Sequence, residues 1–260
     1  MAATETAYTL DNAWEHAHRR LTLIEEIFDE VTTTHLARLG VGPGRRCLEL
    51  GAGAGSVARW LCDRVGPTGS VTAVDLEPRF LAADPRPNME VLQRDLVADG
   101  VPGEGWDLIH ARALLVHLGN REDILRQMVA ALRPGGVLLL EEPDLTACAA
   151  GDSPTYREVF DRICAAVGKK GSDWRWPGML PRRLAAAGLL DCAGSSASHQ
   201  FNGGSPMARF WTLSLEQLTP LLCADGTPED LLSAFAAELA DPDLWFPSFA
   251  AVSAWGYRPS

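Results

Sequence analysis

The chain has 260 residues, 47% hydrophobic and 22% charged, an ordinary globular composition that excludes wholesale disorder. That length suits one large α/β domain with a substrate-covering insertion, or one domain plus a small cap. The formal net charge is −11 and no Lys/Arg run is visible; Arg19-Arg20, Arg45-Arg46, Lys169-Lys170 and Arg182-Arg183 are isolated pairs, read as solvated surface charge, so no nucleic-acid partner is expected.

Met1 to Trp14 shows no basic start followed by an apolar run, so no signal peptide is expected. Apolar residues recur at helical spacing from Thr22 to Leu39, and Gly40 with Pro43-Gly44 ends that helix. A strand over Cys47–Leu50 breaks at Gly51, and a helix follows from Ser56 to Val65, stopped by Gly66-Pro67. Val71–Val74 predicts a second strand ending in Asp75, Met89–Leu92 a third ending near Asp95, and Trp106–His110 a fourth. A helix over Asp123–Leu132 stops at Pro134-Gly135-Gly136 before a fifth strand, Val137–Leu140. That strand is the longest strongly apolar stretch and is far too short to cross a bilayer, so a soluble cytoplasmic protein without a membrane partner is expected. Short strands alternating with helices imply right-handed βαβ units and a doubly wound, mostly parallel sheet.

After Glu142 the pattern changes. Helices are predicted over Pro154–Val167, Leu180–Ala187, Met207–Cys223 and Glu229–Leu239, with one strand over Cys192–Phe201 and another over Phe249–Tyr257 returning beside it. These helices form either an insertion over the ligand cleft or packing around one sheet edge. The six cysteines (Cys47, Cys62, Cys148, Cys164, Cys192, Cys223) make no C-x-x-C pair and no zinc-ligand spacing, so no metal is expected.

The chemistry gathers at three strand ends. Glu49-Leu50-Gly51-Ala52-Gly53-Ala54-Gly55 lies at a strand-to-helix turn, where glycine permits a tight turn and close ligand approach. The helix beginning near Ser56 points its N–H groups into the same space, which suits a carboxylate. Glu49 suits an ammonium; the competing reading makes it a partner of Arg45 or Arg46. Asp75 suits a pair of ribose hydroxyls, or a helix N-cap. Asp95, with Leu96 beside it, suits an adenine amino group, or is a turn residue. An NAD-dependent oxidoreductase fits less well. Ser56 stands where the third glycine of G-x-G-x-x-G is needed, and Tyr8, Tyr156 and Tyr257 lack a Tyr-x-x-x-Lys partner.

With these motifs, and with Gln93-Arg94-Asp95-Leu96, Trp106-Asp107-Leu108-Ile109-His110 and Leu132-Arg133-Pro134-Gly135-Gly136, the sequence resembles the class I S-adenosylmethionine-dependent methyltransferases. Val41-Gly42-Pro43-Gly44 and His110-Ala111-Arg112-Ala113-Leu114-Leu115 resemble a bacterial, actinomycete-like group acting on small molecules. The likeness is strong from about Leu21 to Glu142 and thin afterwards. It implies a Rossmann-like, seven-stranded α/β fold and S-adenosylmethionine as cofactor, with S-adenosylhomocysteine as product. It assigns Glu49, Gly51, Ala52 and Gly53 to the methionine portion, Asp75 and Leu76 to the ribose, and Asp95 and Leu96 to the adenine, with the backbone around His110 along the methionine end. One domain is expected: an N-terminal helical segment or lid (1–40), a cofactor-binding core (41–145), substrate-side helices and insertion (146–248) and a last strand (249–260).

The expected reaction is in-line displacement of the sulfonium methyl by an O, N or C nucleophile of a small molecule, in secondary metabolism. An oxygen acceptor calls for a general base. His117, Glu142 and Asp144 are the candidates nearest the expected cleft, with His16, His18 and His199 behind them. Packing competes at His117, and a solvated loop competes at Glu142 and Asp144. Trp174, Trp176, Phe210 and Trp211 suggest an aromatic or apolar acceptor, with core packing as the competing reading. The N-terminal segment is expected to cover its own cleft or that of a partner in a homodimer. Two alternatives stand: cofactor binding without transfer, as in a regulatory module, and a methyltransferase fold used for cyclisation or rearrangement.

Overall fold

The amphipathic stretch that opens the chain forms α1 (Ala17–Arg38). It starts five residues before the expected Thr22 because Ala17 and Arg20 are also buried, which continues its inward face by another turn. The computed structural model describes residues 9, 10 and 12–260; Tyr8 and most of the stretch read for a signal peptide lie outside them. Next come β1 (Arg46–Leu50), α2 (Ser56–Val65), β2 (Ser70–Asp75), β3 (Met89–Gln93), α3 (Leu96–Asp99), β4 (Trp106–Arg112), α4 (Arg121–Ala131) and β5 (Leu132–Asp144). The second half holds α5 (Pro154–Gly168), α6 (Leu180–Ala186), β6 (Leu190–Ala197), β7 (Gln200–Asn202), α7 (Pro206–Ala224), α8 (Glu229–Ala240), β8 (Trp245–Pro247) and β9 (Ala250–Tyr257).

Seven strands form one sheet in the order β3-β2-β1-β4-β5-β9-β6. The first five are parallel; β9 runs antiparallel to both β5 and β6. The last strand in the chain is therefore inserted one place inside the sheet edge. Strand order reverses between β1 and β4, which opens a crevice beyond the carboxyl ends of those strands.

Two further elements differ from expectation. The strand expected over Cys192–Phe201 is two strands: β6 leaves β9 after Ala197, and β7 pairs with β8 in a separate ribbon. Phe201 is buried there against Phe246, with ring centroids 5.6 Å apart. The fifth strand is longer than Val137–Leu140, because Leu132 pairs with Trp106 and residues 141–144 pair along β9.

Side-chain alternation sorts the sheet into two faces. Cys47, Val71, Ala73, Leu108, Val137 and Leu139 pack with α1 and α2. Leu48, Leu50, Ile109, Leu138 and Leu140 pack with α4 and α6. A third core joins α5, α7 and α8 with Leu23 of α1, Val116 and Phe249. It lies beyond the carboxyl ends of the strands, so the crevice is roofed with apolar and aromatic side chains. Among the described residues no helix is long and apolar enough to cross a membrane.

Candidate functional site

The glycine loop after β1 is left-handed at Gly51, Gly53 and Gly55, with φ of 70°, 56° and 94°. A Cβ on Gly51 would stand 3.1 Å from Leu114, and one on Gly55 would stand 2.7 Å from Leu81. Only glycine meets both demands at these turns. Asp75 braces the loop: one carboxylate oxygen accepts from Gly53 N at 2.8 Å and the other from Glu77 N at 2.9 Å. Burial raises its pKa, and these N–H groups oppose the rise.

Glu49, Gly51, Ala52, Gly53, Asp75, Leu76, Asp95 and Leu96 all line a single cavity of about 840 Å³. That volume falls within the ~300–1,000 Å³ range of small-molecule sites. Asp95 also caps α3, accepting from Val97 N at 2.8 Å, so the turn reading describes its backbone role while its side chain stays in the wall. The cavity runs on to His117, Glu142, Trp174, Phe210, Trp211 and Phe249. Strand ends and aromatic roof thus enclose one space.

His110 does not line it. Its side chain is fully buried behind the wall, with Nδ1 2.7 Å from Glu49 and Nε2 3.4 Å from Glu141. Parallel register sets Glu49 beside His110, and antiparallel register sets Ser253 beside Glu141. Glu141 accepts from Ser253 at 2.8 Å, meets His35 Nδ1 at 2.9 Å and also accepts from the Thr32 hydroxyl. Burial opposes a charge on His110, but Glu49 and Glu141 outweigh it and hold its pKa up at about 9. Burial likewise opposes a charge on Glu141, while His110, His35 and Thr32 hold it well below the usual carboxylate range. At neutral pH an imidazolium stands between two carboxylates, and Glu49 and Glu141 present the surplus negative charge to the cavity.

Ala113 has φ of +50°, an uncommon conformation for a residue with a Cβ. It turns the chain after β4 so that three N–H groups converge on Glu142: Leu115 at 2.8 Å, Leu114 at 3.3 Å and Val116 at 3.4 Å. Burial pushes the Glu142 pKa up to about 7, and the three N–H groups offset only part of that rise. The solvated-loop reading of Glu142 fails, because it lies buried on β5 in the cavity wall.

The other proposed bases fare differently. His117 lines the cavity, and Trp174 Nε1 donates to its Nδ1 at 3.4 Å. Burial and the neighbouring Arg20 and Arg121 push its pKa down to about 3, which makes it a weak base. Asp144 is outside the cavity wall, contrary to expectation; it caps the turn after β5 by accepting from Thr146 N at 2.8 Å. His16, His18 and His199 are exposed and outside the wall. Trp176 is outside it too, buried beside α6, with Nε1 donating to Glu122 at 2.8 Å.

The profile of the methyltransferase-domain family matches residues 14–185, well over half of the chain. The chain belongs to that family. Trans-aconitate 2-methyltransferase of Paracidovorax citrulli is 36% identical over 112 residues, 42% of this chain and 43% of the relative. Methyltransferase str3 of Strobilurus tenacellus is 31% identical over 178 residues, 66% of this chain and 62% of the relative. The chain thus spans less than two thirds of these relatives' lengths. The fold is that of Haemonchus contortus phosphoethanolamine N-methyltransferase 2 in complex with S-adenosyl-L-methionine, with a TM-score of 0.61 and 16% identity over 99% of this chain and 61% of that one. The fold and family are those of class I S-adenosylmethionine-dependent methyltransferases, and S-adenosylmethionine is their cofactor.

The residues present fit that cofactor, since a glycine cradle and a wall with surplus negative charge suit a ligand bearing ammonium and sulfonium groups. The start of α2 also departs from expectation. The first N–H of α2 does not wait for a carboxylate: Ser56 N donates to Glu25 of α1 at 2.9 Å, and Ser56 Oγ donates to Asp29 at 3.0 Å. Glu49 is held by His110, whereas Arg45 pairs with Asp107 and Arg46 bonds Asp107 and Glu104, so the Arg45/Arg46 alternative for Glu49 falls away. Arg20, read as solvated, is 2% exposed and lines the cavity. The sequence motifs single out none of Arg20, Thr32, His35 and Glu141 as site residues. For Glu141 strand alternation carries a signal. Val137, Leu139 and Glu141 share one face once the strand is carried to Asp144, and Glu49 and His110 lie on that same face beside Cys47 and Leu108.

Proposed function

We propose that this chain transfers the methyl group of S-adenosylmethionine to a small-molecule acceptor with an aromatic or apolar body. The observation that carries the reading is the continuity of one cavity from the acid-bearing strand ends to the aromatic roof of Trp174, Phe210, Trp211 and Phe249. The names of trans-aconitate 2-methyltransferase and phosphoethanolamine N-methyltransferase 2 each specify a small acceptor, which supports this class of substrate.

When bound, S-adenosylmethionine supplies a sulfonium-activated methyl group open to in-line displacement. Glu49, fixed by His110, would hold the cofactor's ammonium, Asp75 would accept from the ribose hydroxyls, and Asp95, with Leu96 beside it, would accept from the adenine amino group. The aromatic roof excludes water and positions the acceptor, and positioning is a large part of catalysis for an activated donor. Glu142 is the general base, because it alone of the three candidates combines a place in the wall with a pKa matched to neutral pH.

This assignment has a pH signature. Glu142 accepts a proton only as the carboxylate, so kcat/KM for an oxygen acceptor falls as pH drops through about 7. Glu142→Gln flattens that limb and lowers kcat by about 10²–10⁴-fold. The measurement is label transfer from S-adenosylmethionine across pH 5.5 to 8.5, a range set ~1.5 units either side of neutrality. A wild-type profile flat through this range removes Glu142 from the base role.

A further inference from the structure

Two buried donors in the cavity wall have no use in this mechanism. Arg20 lies in the first turn of α1, and its Nη2 donates to Leu10 O and to Asn12 Oδ1, both at 3.1 Å. Its Nε is buried without an acceptor, and among the described residues no carboxylate forms an ion pair with it. The nearby acids of α1 are engaged elsewhere: Glu25 caps α2, and Asp29 pairs with Arg112 at 3.0 Å. A buried cation without a counter-charge is costly, so proteins rarely keep one unless something neutralises it. The charge is felt in the wall, where it helps to depress His117.

Trp211 repeats the pattern on α7. Its indole is 2% exposed, lines the same cavity, and its Nε1 has no acceptor. Buried indole N–H groups ordinarily find a partner. Helices α1 and α7 pack against each other, so both donors belong to the helical roof. The strand ends carry acids and the roof carries donors. A ligand spanning the cavity therefore meets cation-binding groups at one side and anion-binding groups at the other.

We propose that the acceptor bears a carboxylate on its aromatic or apolar body, received by Arg20 with Trp211 Nε1 as a second donor. This rests on the reading of the cavity as a joint cofactor and acceptor site. A guanidinium with an unpaired Nε–H suits a carboxylate better than any neutral group, because charge-assisted bonds in a dry site are the stronger ones.

The test is calorimetry on the full chain, first with S-adenosylhomocysteine and then, on the loaded protein, with cinnamate, indole-3-acetate and octanoate, each beside the alcohol of the same body. Wild type is expected to bind at least one acid about tenfold more tightly than its alcohol. Arg20→Met removes that preference, and Trp211→Phe weakens it about threefold, while both keep their affinity for S-adenosylhomocysteine. If Arg20→Met instead loses S-adenosylhomocysteine but keeps 5′-methylthioadenosine, which lacks the amino acid, Arg20 serves the cofactor's carboxylate and the inference is overturned. A wild type that does not distinguish any acid from its alcohol also overturns it. Failure of wild type to bind S-adenosylhomocysteine, seen before any acid is added, contradicts the underlying cofactor reading instead.

Discussion

Asp75→Ala is expected to weaken S-adenosylhomocysteine binding by about 100-fold or more, read by calorimetry on a sample whose fold is verified by circular dichroism. Each carboxylate oxygen uses one lone pair on a backbone N–H, Gly53 or Glu77, and keeps another for a ribose hydroxyl. Hydrogen bonds to a charged acceptor are worth about 1.5–3 kcal/mol each, so two of them account for roughly 3 kcal/mol or more, a factor of about 100. The alanine variant also frees the Gly53 N–H and so loosens the glycine loop that forms the cradle. Asp75→Asn retains one carbonyl acceptor and the side-chain shape, and its loss is expected to be nearer tenfold. Affinities within threefold of wild type for both variants contradict the ribose role.

His110→Leu is expected to lower unfolding free energy by about 3–5 kcal/mol, because it leaves Glu49 and Glu141 buried side by side without the cation between them. Urea denaturation of wild type and variant measures the difference. Its pH dependence distinguishes a charged histidine from a merely well-packed one. The folded pKa of about 9 lies above the ordinary 6.5 of the unfolded chain, so the His110 contribution is full below pH 6.5 and is lost as pH rises through 9. Glu141 has the opposite sign: its folded pKa is depressed below 4.5, so its contribution is full above pH 4.5 and is lost as pH falls toward the folded value. The wild-type advantage is therefore greatest between about pH 4.5 and 6.5 and declines toward pH 9. A difference that stays level from pH 6 to 9 shows that His110 is neutral in the folded protein.

Much of the cofactor side was legible in the chain because its signals are local. Gly51, Gly53 and Gly55 announce left-handed turns, Asp75 and Asp95 end short apolar runs, and Ser56–Val65 forms a helix with the bounds its spacing predicted. The acceptor side was less legible because its contacts are long-range. Glu141 meets His35 across 106 positions and Ser253 across 112; the first contact needs α1 docked on the sheet and the second needs β5 and β9 in register. Arg20 sits in a basic pair, where Arg19 is exposed and Arg20 is buried; only the direction of the α1 face separates them. Asp144 and Glu142 lie two positions apart on one strand, yet Asp144 turns to cap its own loop while Glu142 gathers N–H groups set by the left-handed Ala113. Trp176 and Trp174 divide in the same way, one toward Glu122 and one toward His117.

The most direct measurement supplies trideuteriomethyl-labelled S-adenosylmethionine to the purified protein with a small-molecule extract, and follows the label by mass spectrometry together with S-adenosylhomocysteine release. The account predicts label in a small organic product, in step with S-adenosylhomocysteine, and loss of both in Asp75→Ala. Tight cofactor binding with no S-adenosylhomocysteine formed, or label found only in macromolecules, contradicts methyl transfer to a small acceptor.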